Sequence, residues 1–191
     1  MKIKDIKVIG AIGLMLNLLG IIPRLGFVAR ITGLILILVA LKEISNVLGE
    51  QDIFKKYLAG FLINLIGSLA LLVLSFILGV GTFLISILQT GGIFELIRNL
   101  GPIIIFLLLS FYAVLVISSY FYRESFNLLS QKTNERLFAT AANLIFYGAI
   151  LTIILVGALV SLAGQIVAVV AFLSLPNEIT TQPTDLSSSV K

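Results

Sequence analysis

The sequence predicts an all-α, polytopic transmembrane bundle, and three observations carry that reading. Leu137 to Asn177 contains 41 residues without one Asp, Glu, Lys or Arg. Two comparable runs precede it, Tyr57–Phe94 and Asn99–Tyr122. A bilayer needs roughly 20 apolar residues per helical span, and no soluble domain of this size needs so much uninterrupted apolar chain. Composition agrees, with 59% hydrophobic residues, 12% charged residues and a mean hydropathy of +1.17. A chain of 191 residues holds about six spans (four to six on length alone) and short loops, without a separate soluble domain.

The elements follow in order. Lys2, Lys4 and Lys7 precede apolar Val8–Ile22, but Pro23-Arg24-Leu25-Gly26 follows where a signal peptide would need a small-residue cleavage site. An uncleaved first span over 8–22 is therefore expected, with a second over 26–41 after the Pro-containing turn. Each is short, about 23 Å as a helix against a hydrocarbon core of roughly 30 Å. The pair therefore reads as two spans in a thin bilayer or as a hairpin dipping into it. Lys42–Lys56 is a polar connector. Tyr57–Leu88 is too long for one upright span, so Gly79 and Gly81 are expected to close a third span near 57–78. Thr90-Gly91-Gly92 reads as a turn, and Gly101-Pro102 as the start of a fourth span over 102–121. Arg123–Arg136 mixes polar residues with Phe126, Leu128 and Leu129, the pattern of a helix lying along the membrane surface. The last run divides near Gly157–Gly164 into spans at 139–156 and 159–175. One membrane domain over 1–175 thus ends in a Ser/Thr/Pro-rich tail, 176–191, with a disordered composition.

Charge supplies the topology. Ten of the thirteen Lys and Arg residues fall on one side of this six-span arrangement, leaving Arg24, Arg30 and Arg98 on the other side or embedded. The positive-inside rule then puts the N-terminus in the cytoplasm of a multi-pass cell-membrane protein. The C-terminus falls on the same side, with Lys191 as the one charge reporting it. A net charge of +4, confined to loops, gives no footprint for nucleic acid.

Several chemistries are set aside by residue type. The chain has no Cys and no His, which removes Cys/His nucleophile pairs and the usual zinc sets. No Asp or Glu lies inside a predicted span, so a proton relay or aspartyl protease lacks its carboxylate. No phosphate loop, metal cluster or nucleophile-base constellation is present, and no cofactor is expected.

The remaining candidates are packing faces and isolated polar groups. Gly10, Gly13, Asn17 and Gly20 recur at spacings of three, four and three, and Gly60, Asn64 and Gly67 repeat the theme. Small residues let helix backbones approach, and an amide can bond across the contact, so Asn17 and Asn64 are expected to share one core. The competing reading makes them, with Asn143, Gln165 and Arg30, the polar lining of a solute path. Arg30 is the charge with apolar sequence on both sides; a place near its helix end would let it snorkel to the interface. Tyr122-Arg123-Glu124-Ser125-Phe126 is the most distinctive string, expected to anchor the inner interface or to dock a partner or lipid headgroup.

Several strings together resemble a family of small prokaryotic, largely archaeal, membrane proteins, domain of unknown function 996. They are Gly33–Ile37 with Ala40–Ile44, Asp52-Ile53-Phe54, Tyr122–Phe126, Gly148–Leu151 with Gly157, and Ala171-Phe172. The resemblance implies an integral membrane protein and supplies no activity, cofactor or catalytic residue.

The expectation drawn is a non-enzymatic scaffold or accessory subunit packed through Gly/Asn helix faces. Its partners would be the lipid bilayer and either further copies of the chain or another membrane protein. The alternative is a small oligomeric transporter or channel for an unidentified solute. In that case the polar side chains should share one water-accessible cavity.

Overall fold

A computed structural model describes residues 3–20, 22, 26–88, 93–154 and 156–176. Its described residues form helices α1 (Ile3–Leu19), α2 (Gly26–Leu48), α3 (Gln51–Leu88), α4 (Ile93–Thr133), α5 (Arg136–Leu151) and α6 (Val156–Ser174), with a 3₁₀ turn at Thr152–Ile154. Five stretches are long and apolar enough to cross a bilayer, α5 counted together with its 3₁₀ turn; α1, at 17 residues, is not among them. The chain is a helical membrane bundle of about six spans. The proposed turns at Pro23–Leu25 and Thr90–Gly92 and the polar tail beyond Pro176 lie outside the described residues.

Each helix packs on its neighbours in sequence, and α6 closes on α1, so the six form a ring. The ring is sealed at the end where Lys42, Lys55, Lys56, Lys132 and Arg136 lie, here called the charged end. Three even-numbered helices bring the same pattern there, a small residue followed by large ones at +1 and +4. These are Ala40, Leu41 and Ile44 on α2, Ser125, Phe126 and Leu129 on α4, and Ala171, Phe172 and Leu175 on α6. All nine are at most 1% exposed, and Ile6, Ile53 and Phe138 from the odd-numbered helices complete the plug. The rings of Tyr57, Phe126, Phe138 and Phe172 pass from α3 through α4 and α5 to α6 with centroids 5.1–6.0 Å apart.

Two turns at this end are built alike. After α2, Gly49 adopts φ +67°, Glu50 N–H donates to the Ser45 carbonyl and Gly49 N–H to that of Asn46. This pairing of a left-handed residue with two backward bonds is a Schellman cap. After α4, Asn134 takes the left-handed position at φ 55°. In both turns a serine hydroxyl donates to a glutamate carbonyl five residues on, Ser45 to Glu50 at 2.7 Å and Ser130 to Glu135 at 2.9 Å. A Lys132–Glu50 ion pair at 2.9 Å ties one turn to the other.

Several boundaries differ from the sequence expectation. Helix α3 does not end at Gly79 and Gly81 but runs through both to Leu88. Its buried and half-buried stripe, Ile53, Tyr57, Gly60, Asn64, Gly67, Leu71, Leu74 and Leu78, alternates steps of four and three without a break. That is the heptad seam of a two-helix coil, and it carries the helix past the glycines. Helix α4 starts at Ile93 and holds Pro102 in its interior. The segment 123–133 does not lie on the surface: it continues α4 in line, because Ser125, Phe126 and Leu129 are needed in the plug. The last division also falls earlier, with α6 beginning at Val156.

At the far end the helices part. Helices α3 and α4, 38 and 41 residues, are about 57 and 62 Å long, roughly twice the length of α1, α5 or α6. The most apolar stretches of α3 and α4 have no buried residue at all. Phe76 is 71% exposed, Leu72 64% and Leu108 63%, and a Cβ added at Gly79, Gly81 or Gly101 would meet nothing.

Candidate functional site

The Tyr122–Phe126 string occupies the junction of α3, α4 and α5, and every member is engaged inside the protein. The Tyr122 ring lies 4.7 Å from that of Tyr57. Arg123 donates from Nε to Asn143 Oδ1 at 3.0 Å, with its guanidinium 5.0 Å from the Phe146 ring centre and 5.9 Å from that of Tyr147. Glu124 accepts from Lys56 Nζ at 3.0 Å. Ser125 donates to the Ile53 carbonyl at 2.7 Å, and Phe126 packs between Tyr57 and Phe138. The string, expected to anchor the inner interface or to dock a partner or lipid headgroup, faces inward as a three-helix joint: 3.6-residue periodicity turns its side chains toward both neighbours, α3 and α5.

The glycine faces split between partners. A Cβ on Gly10 would strike the Phe172 ring of α6, whereas one on Gly13 would lie 2.9 Å from the Gly33 carbonyl of α2. Gly33 mirrors this against the Gly13 carbonyl, so α1 and α2 touch backbone to backbone. Gly60 meets the Ser118 carbonyl of α4 in the same way, at 2.8 Å, whereas Gly67 meets the Val114 side chain, also at 2.8 Å. Asn64 sits between them and donates to Ser118 Oγ at 3.4 Å. Asn17 and Asn64 therefore do not share a core: Asn64 belongs to the α3–α4 seam, and Asn17 faces α2 and α6.

Asn17 instead lines a cavity of about 200 Å³ with Leu18, Gly20, Arg30, Leu162 and Gln165. Three polar side chains from α1, α2 and α6 converge there. Arg30 is exposed and lines the cavity. Its ion-pairing partners do not include a carboxylate among the described residues, where the acids Glu50, Asp52 and Glu124 pair with lysines at the charged end. Of the five polar residues offered as a path, Asn17, Arg30 and Gln165 meet, while Asn64 and Asn143 are bonded elsewhere.

Sequence reasoning missed Phe172 and Gly33 as packing residues and Tyr112. The Tyr112 hydroxyl donates to the Ile150 carbonyl at 2.9 Å and so satisfies one acceptor at the end of α5. The pattern of one small residue followed by large ones at +1 and +4, repeated on α2, α4 and α6, was the signal available for Phe172. No group of three or more Asp, Glu, His or Cys side chains able to hold a metal occurs among the described residues.

A family model described as "Protein of unknown function (DUF996)" matches residues 29–166, from the start of α2 into α6. The chain is also similar to "Uncharacterized protein MJ1644" of Methanocaldococcus jannaschii, 33% identical over 180 residues that cover 94% of this chain and 96% of the relative. No solved structure matches.

Proposed function

The chain belongs to the DUF996 family of proteins of unknown function, and we propose that it acts without catalysis, as a scaffold or accessory subunit in the cell membrane. The observation that carries the reading is the α3–α4 hairpin. Beyond the ring its two helices pack on each other and present apolar flanks, Leu72 and Phe76 on one and Leu108 on the other. The engagement of Arg123, Glu124 and Ser125 in internal bonds supports a non-enzymatic role, since they were the clustered polar groups a reaction could use. Lysines and arginines gathered at the charged end support a cytoplasmic placement of that end, with both termini there.

Photo-crosslinking side chains placed at Phe76 and at Leu108 in native membranes test the proposal. The same membrane protein is expected at both positions and not at Ile153, at the end of the neighbouring hairpin. Lipid adducts alone at Phe76 and Leu108 would refute it.

The polar cavity favours a second reading, a small oligomeric transporter or channel. Single cysteines at Asn17, Arg30 and Gln165, in a chain with none of its own, should then react with a membrane-impermeant thiol reagent. Labelling from both sides of the membrane in different states would support transport; labelling from one side only would leave a dead-end cavity.

A further inference from the structure

We propose that the Asn17–Arg30–Gln165 cavity is a binding site for a phosphate group, free or carried on a lipid headgroup. Depth is the first argument. Arg30 lies roughly twelve residues from Lys42, about 18 Å along α2, which would place it inside a hydrocarbon core of roughly 30 Å wherever the bilayer beside α1 and α2 is not thinned. A charge at that depth is costly unless it is paired or hydrated. Among the described residues no carboxylate pairs with it. The helix offers no direct escape, because α1 ends at Leu19 and α2 begins at Gly26, so this hairpin turns back while α3 continues to Leu88.

The second argument is the donor set. A guanidinium presents a planar fork of N–H groups that fits two oxygens of a phosphate. Asn17 and Gln165, from α1 and α6, add amide donors on the same cavity wall. Leu18 and Leu162 complete the lining beside these groups. The volume, about 200 Å³, is large enough for a phosphate group.

The inference does not depend on whether the protein scaffolds a partner or moves a solute. It is tested on the full-length protein in two arms. In the first, protein in phosphatidylcholine nanodiscs is titrated with radiolabelled inorganic phosphate. In the second, nanodiscs containing phosphatidylcholine and phosphatidylglycerol are dissolved gently and retained lipid is counted by native mass spectrometry. Saturable phosphate binding identifies a free phosphate ligand; selective retention of phosphatidylglycerol identifies a lipid headgroup. In whichever arm responds, Arg30→Gln should weaken binding about tenfold or more, the worth of one charge-assisted bond, and Arg30→Lys should fall between. Gln165→Leu fills the cavity without touching the charge, keeps the test open should Arg30→Gln fail to fold, and should also weaken binding. Lys55→Gln, exposed at the opposite end, should change nothing. The proposal fails if neither arm shows binding, or if folded Arg30→Gln or Gln165→Leu protein binds as well as the parent.

Discussion

The two ends of this ring solve the same packing problem in opposite ways. At the charged end, nine residues from three helices interlock with Ile6, Ile53 and Phe138 until almost no surface is left. At the far end α3 and α4 leave the ring together, holding to one seam and exposing the rest. The difference follows from the solvent each end meets. Water at the charged end makes buried apolar area favourable, at roughly 25 cal/mol per Å². Hydrocarbon at the far end is as apolar as leucine, so only close contact and hydrogen bonds reward association there. The chain puts bulky aromatics where burial stabilises and glycines where contact does.

Substitutions can break or sharpen that contrast, with stability read by denaturant unfolding in a single detergent. Phe172→Ala should show the largest loss, about 3–5 kcal/mol, because it opens a void at the centre of the plug. Gly33→Ala comes next at about 1–3 kcal/mol, since its new methyl meets the backbone of α1 rather than a side chain that can turn away. Asn134→Ala should cost about 1–2 kcal/mol through the left-handed backbone at φ 55°, while Asn134→Gly is nearly neutral. Glu124→Gln should cost only about 0–1 kcal/mol, and less at high salt, because its pair with Lys56 is a third exposed. Phe76→Ala, on the lipid-facing flank, should change stability by less than about 0.5 kcal/mol. A loss at Phe76 comparable to that at Phe172 would erase the distinction between the ends.

Much of the architecture could be read from the chain. Uninterrupted apolar runs identify spans because a bilayer imposes a length, and six helices follow from the runs and their breaks. Helix continuity was less legible. Gly79, Gly81 and Pro102 are breakers by propensity, yet in hydrocarbon an unpaired backbone group costs more than a helical glycine, so the helix persists. The string from Tyr122 to Phe126 stood out as unusual, but no local pattern says that Arg123 turns to α5 while Glu124 turns to α3. The cavity was the least legible feature. Asn17, Arg30 and Gln165 are far apart in sequence, and only closure of α6 on α1 brings them together.

The unequal helices have a consequence for the lipid itself. A bilayer surrounding this protein meets about 57 Å of helix along α3 and less than half that along α1. Hydrocarbon thickness resists change at fractions of a kcal/mol per Å of mismatch, so tilt of the long hairpin absorbs part of the difference and the annulus absorbs the rest. Acyl chains beside α1 and α2 must shorten or splay while those along α3 stretch. The circumference of one small protein thereby becomes a gradient, sorting its neighbours by length.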